Sequence, residues 1–300
     1  MAKPDLHLAY YLILFTDVLG QRLRLRDLRA LPETPEEWTR AVAVLKDTAG
    51  VLLALRQWFT DYFTAFAKPS EFVEHLRPPV REAMLQAKAC AIACRHFSDS
   101  VTTSICLLDD GREHCTTINA VRGALVAACG MHVLALCAGK PIRSGIDVGL
   151  AMQLPEGDVY GPALERAVHL EARTAGYPRI AVGDELISYL DAVATQQHQR
   201  PFGAVAREVA QSCRRLVFQD TDGIGALDFL GEEFARDAIA TIAPVLPKAY
   251  HFVKNAQVHW HQQCDEKLAT RYDLLWAYCR SRAHCWGTPI EQLAADLDAA

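Results

Sequence analysis

The sequence predicts an α+β fold, a ferredoxin-like antiparallel sheet backed by helices. Helical and strand patterns alternate, the loops between them favour antiparallel returns, and 51% apolar residues over a chain of 300 supply an ample core. Charge narrows the function classes. With 31 basic against 36 acidic residues the net charge is −5, which lacks the broad basic surface that a nucleic-acid polymer or an anionic membrane requires. The apolar run Leu8 to Phe15 falls far short of the roughly 20 residues of a membrane span. Met1 to Asp5 does not begin a secretory signal, so a cytoplasmic protein with no membrane span is expected.

Each element has a local reason. Leu6 to Leu19 is apolar almost throughout, as in a strand buried on both faces, and Gly20 ends it. Thr34 is the N-cap of a long helix opened by Pro35, Glu36 and Glu37, with apolar residues at helical spacing through Val42, Leu45, Leu52, Leu55 and Phe59. A second helical stretch is expected from about Pro79 to Cys90. His96 to Ile105, rich in Thr and Val, reads as a hairpin region closed by the turn Asp109-Asp110-Gly111. Thr117 to Ala138 reads as a third helix ended by Gly139, then come the strand Ile142 to Leu154, a turn at Pro155-Glu156-Gly157, a helix from Pro162 through Arg173 and a short strand, Tyr177 to Val182. Residues 1–190 form the expected core. Residues 191–300 form an extension packed on it, with a hairpin (Arg214 to Phe218, Ile224 to Leu230) and one long helix, Ala256 to Ala283.

Ten cysteines in a chain of this size lack the density of a disulfide framework, so free thiols are expected. Two sets have zinc-like composition: His259, His261 and Cys264, and Cys279, His284 and Cys285. No CxxC accompanies them, and residues two apart on a helix face away from each other, so both read as ordinary helical residues. Cys90 and Cys94 read as one buried helical face. The stretch Asp220-Thr221-Asp222-Gly223 reads as a turn, since the calcium-loop spacing is absent.

Two acids stand out. Asp17 sits in Leu14-Phe15-Thr16-Asp17-Val18-Leu19-Gly20 and Asp99 in Phe97-Ser98-Asp99-Ser100. A carboxylate in an apolar strand is costly unless something cationic compensates it. In a ferredoxin-like sheet the first and third strands are neighbours, so the two acids would approach, and two divalent cations would resolve their repulsion. Otherwise they are a strand-end acid and a turn acid with nothing in common.

Four stretches, in order, resemble the motifs of class III nucleotidyl cyclases. Phe15 to Gly20 resembles the first metal motif, Phe97 to Ser100 the second, Arg143-Ser144-Gly145-Ile146-Asp147-Val148-Gly149 the Arg-x-Gly strand, and Asp158-Val159-Tyr160-Gly161 with its following helix the Asp-x-Trp-Gly turn. The Tyr160 to Leu164 and Tyr177 to Ile180 wording is closest to the bacterial group that includes the pyrimidine cyclases of the Pycsar antiphage system. The resemblance implies two Mg²⁺ or Mn²⁺ ions on Asp17, the Val18 carbonyl and Asp99, with Arg143 on the triphosphate. It places Arg95 and Asp158 at the base. Arginine only donates and a carboxylate only accepts, which complements the uracil edge, whereas cytosine would set acceptor against acceptor; adenine also fits.

The implied activity is therefore conversion of UTP to cyclic UMP and pyrophosphate by a homodimer, as an antiphage signal read by a separate effector. CTP, ATP, or a decayed nucleotide-binding sensor are the alternatives. Three positions depart from the pattern. Glu165 and His169 stand where the family has a transition-state Asn and Arg, and Asp147 replaces the usual His, leaving His169, Arg166 or Arg173 to supply the cation.

Overall fold

β1 (His7–Val18) is the spine of the sheet, antiparallel to β3 (Ser100–Leu108) on one side and to β4 (Ile142–Gln153) on the other. The computed structural model describes residues 7–26, 28, 31–67, 91–108, 114–155, 157–195 and 203–287. β2 (Ile92–Phe97) forms the edge against β3. β5 (Val159–Tyr160) pairs with β4, and β6 (Ile180–Val182) lies parallel to β4. The hairpin of β7 (Val217–Gln219) and β8 (Gly225–Leu227) completes the order β2-β3-β1-β4-β6-β8-β7. The architecture is α+β and mostly antiparallel, with β1 between β3 and β4 as the ferredoxin-like expectation requires.

Alternation along β1 divides its residues between two layers. Leu12, Leu14 and Val18 join the main core with α2 (Pro35–Ala67) and α3 (His114–Cys137), after a short α1 (Gln21–Arg26). Tyr11, Ile13 and Phe15 face Ala163 and Ala167 of α4 (Pro162–His169), which continues as a π-helical turn, Leu170–Thr174. Close approach of α4 depends on Gly145, where a Cβ would overlap the Ala167 carbonyl and Leu170.

Helix α2 starts with a reciprocal cap: the Thr34 hydroxyl accepts from the Glu37 amide, and the Glu37 carboxylate accepts from the Thr34 amide, both at 3.2 Å. Its buried stripe runs through Val51, Leu52, Leu55, Phe59 and Phe63. Val42 and Leu45, expected on that stripe, are exposed, because apolar spacing continues along the helix beyond the part that meets the core. Within α3, Ile118–Cys137 is long and apolar enough to cross a membrane, yet 83% of its most apolar window is buried inside the fold. The expected helical stretch Pro79 to Cys90 and the turn Asp109 to Gly111 lie outside the described residues. Cys94 is in β2 opposite Thr103, which corrects its placement on a helical face: its neighbours extend as a ladder against β3.

Beyond β6 come α5 (Asp184–Thr195), α6 (Gly203–Arg215), α7 (Glu232–Ile242), α8 (Leu246–Gln262), α9 (Glu266–Arg282) and a 3₁₀ turn, Ala283–Trp286. The single long helix expected from Ala256 to Ala283 is two. Cys264 adopts φ 54°, and Asp265 caps α9 by accepting from the Leu268 amide at 3.0 Å. One buried cluster runs from Leu12 to Trp286, and β8 joins the sheet at Ala181 and Ala226. The acidic turn between β7 and β8 is held by a buried arginine: Arg179 donates to Asp220 at 2.5 Å and to Asp222 at 2.6 Å, and the Tyr177 hydroxyl donates to Asp220.

Candidate active site

Asp17 is the penultimate residue of β1, directly opposite Ser100 on one neighbour and Arg143 on the other. Residues opposed in this way have Cβ atoms about 5 Å apart on one face. Asp99 lies in the two-residue turn between β2 and β3, where Ser98 takes φ 55° and the Ser100 hydroxyl donates to the Phe97 carbonyl at 2.7 Å. The Val18 amide donates to the Asp99 carbonyl at 3.1 Å, so the backbones carrying the two acids are tied to each other. Asp99 and Val18 are buried.

Arg143 is nearly enclosed. Its guanidinium donates twice to one oxygen of Glu171, at 2.6 Å each, and Glu171 is itself buried on the π-helical turn that Gly145 allows against the sheet. Glu171 has no role in the reading of the sequence. An acid near the end of an amphipathic helix carries no signal until a strand arginine is known to pass beneath it.

A cavity of about 1240 Å³ opens at this end of the sheet. Asp17, Val18, Asp99, Arg143 and Glu171 line one side, and side chains of α8 and α9 line the other. Carboxylate and carbonyl oxygens are hard donors, and two carboxylates plus the Val18 carbonyl at one strand end fit Mg²⁺ or Mn²⁺.

The other candidates are elsewhere. Arg95 and Asp158 form an ion pair at 3.4 Å, about half exposed on both sides and off the cavity. Arg166 donates to Asp147 at 2.7 Å and to the Val148 carbonyl at 2.6 Å. Asp147 is buried, which raises its pKa against the opposing pull of Arg166, and it also accepts from the Leu186 amide. Asp147 thus joins β4 to α4 and α5. Glu165 and His169 are exposed on α4 and off the cavity, whereas Arg173 lines it.

The zinc-like sets are divided by the fold. His259 lines the cavity, His261 contacts Asp273 at 3.0 Å, and Cys264 is exposed in the turn. His284 and Cys285 meet Glu232, with ligand atoms within 4.8 Å of one another, but Arg215, Arg236 and Arg282 line the same crevice and oppose a cation there.

No family model and no curated protein matches the chain. Among solved structures it is similar to a bacterial light-regulated adenylyl cyclase, at 13% identity and a TM-score of 0.36, over 69% of this chain and 99% of that chain. Similarity of that degree carries no argument about activity.

Proposed function

We propose that the chain is a class III nucleotidyl cyclase that joins the ribose 3′-oxygen of a nucleoside triphosphate, UTP by preference, to its own α-phosphorus and expels pyrophosphate. The observation that supports this most is the convergence of Asp17, Val18 and Asp99 at one strand end with Arg143 opposite. Magnesium or manganese on those oxygens would lower the pKa of the 3′-hydroxyl and neutralise phosphate charge. Asp17 and Asp99 hold the negative end of the cavity, and Arg143, its plane fixed by Glu171, presents donors toward a phosphate. Arg173 takes the transition-state role that Arg166, engaged by Asp147, does not.

Arg95 and Phe97 lie in register with Phe15 and Asp17 through β3, so they share the sheet face that carries α4. Phe97 is 82% exposed there. In a homodimer built on this face, the Arg95 and Asp158 pair reads the base bound to the partner's acids. Cyclic UMP then serves as an antiphage signal for a separate effector, a role that rests on the motif resemblance.

Incubating the purified protein with Mn²⁺ or Mg²⁺ and each of the four nucleoside triphosphates, with products identified by mass, tests the reading. Cyclic UMP is the expected product. A sensor without turnover is the second reading, favoured by the exposed Glu165 and the engaged Arg166; it gives nucleotide binding and no cyclic product.

A further inference from the structure

Helix α8 presents Lys248, His251, Asn255 and His259 to the cavity, at spacings of three, four and four residues that form one helical stripe, and α9 adds Arg271. Stripes at that spacing ordinarily carry apolar residues into a core. Here the stripe is exposed and sets donors along a space of about 1240 Å³, beside Phe252, Ala256, Trp260, Leu268 and Tyr272 of the same two helices. The acids of the same helix pair point elsewhere: Asp265 caps α9, Asp273 accepts from Gln257 and His261, and among the described residues no carboxylate of α8 or α9 lines the cavity. All three lining acids, Asp17, Asp99 and Glu171, are therefore on the sheet side, together with Arg143 and Arg173, while the helix side offers cationic and donor groups with no carboxylate.

We infer that the α8–α9 pair is a polyphosphate-binding wall of the active site, with Lys248 and Arg271 as its principal cations. This rests on the cyclase reading for its substrate and deepens it by giving the C-terminal helices a part in the site from within the same chain. A polyanion is the ligand whose chemistry matches both walls. Its terminal phosphates meet donors on the helix side, while its other oxygens share the cations that the acids attract. The four lining cations Arg143, Arg173, Lys248 and Arg271 outnumber the three lining acids, so the site as a whole favours an anion once divalent cations are present.

The test is calorimetric titration of the full chain with inorganic tripolyphosphate in Mg²⁺, which involves no turnover. Wild type is expected to bind, and Lys248→Ala and Arg271→Ala each to weaken binding roughly tenfold, as loss of a charge-assisted hydrogen bond does. The salt dependence should become shallower, while Lys248→Arg should retain affinity. Lys267→Ala, an exposed cation of α9 off the cavity, serves as the control and should bind as wild type. Unchanged affinity in both alanine variants, or no binding by wild type, overturns the inference. Binding that depends on these residues, together with failure to form a cyclic product from any nucleoside triphosphate, would overturn the cyclase reading and leave this wall standing.

Discussion

Asp147 shows how a position that departs from a motif acquires a structural task. Its carboxylate is buried between Arg166 and the Leu186 amide, and burial holds its pKa up. Arg166→Ala removes the counter-charge and should cost about 2–3 kcal/mol at neutral pH in urea unfolding, at the low end for a broken buried pair because Arg166 is partly exposed. The sign follows from the raised pKa. Below the ordinary carboxylate range Asp147 is protonated in both states and the loss is small; it grows as pH rises and the unfolded carboxyl ionises first. Equal losses at pH 4 and pH 7 would contradict this role. Arg95→Lys should shift the nucleotide preference if Arg95 reads the base, as competition between UTP and ATP would show. At this scale Asp17 stands out as an isolated acid in an apolar strand, and Asp99 as an acid beside one, in the turn between β2 and β3. Glu171 does not, because its meaning depends on Arg143 facing it across a helix-on-strand contact.

Elements were legible where local chemistry decides them. The Thr34 cap, Gly139 (φ 66°) after α3 and the Gly223 turn all lie where the sequence marks them. The break between α8 and α9 was missed although Asp265-Glu266 is a sound helix start; helical periodicity on both sides hid it. The stretch Tyr177 to Ile180, singled out by its wording, serves to fasten β6 to the β7–β8 turn through Arg179. Replacing Arg179 with Met leaves the largely covered Asp220 carboxylate without its cation and should destabilise the fold by about 3 kcal/mol. A midpoint in thermal or urea unfolding indistinguishable from wild type would refute the fastening. Gly145→Ala should lower activity together with stability, since a Cβ there lifts α4 and with it the Glu171 and Arg143 pair.

For the whole molecule, the sheet's continuity across residue 190 was invisible in the sequence, because one short pairing between β6 and β8 makes it. The placing of α8 and α9 over the strand ends was likewise beyond pattern reading, since their cavity-lining residues mix polar with apolar side chains and register with nothing local. Buried His132, against Phe229, adds a global pH response. Its pKa falls from 6.5 to about 3 through burial, so the folded state keeps it neutral while the unfolded state takes up a proton. Stability is retained above pH 6.5 and lost as pH falls toward 3, by about 2 kcal/mol at pH 5 from this group. His132→Leu should flatten that part of the stability profile; a slope unchanged from wild type would remove the assignment. The proposed association through the face bearing Phe97 predicts that Phe97→Asp shifts the light-scattering mass toward a monomer and lowers turnover with it.

Turnover of UTP by Asp17→Asn and Asp99→Asn, each shown by circular dichroism to be folded, bears most directly on the acid pair. Both amides keep the shape and remove the charge proposed to hold a divalent cation, so cyclic product should fall on the order of a thousandfold or more in each variant. Formation of cyclic UMP at the wild-type rate by either folded variant would contradict the account.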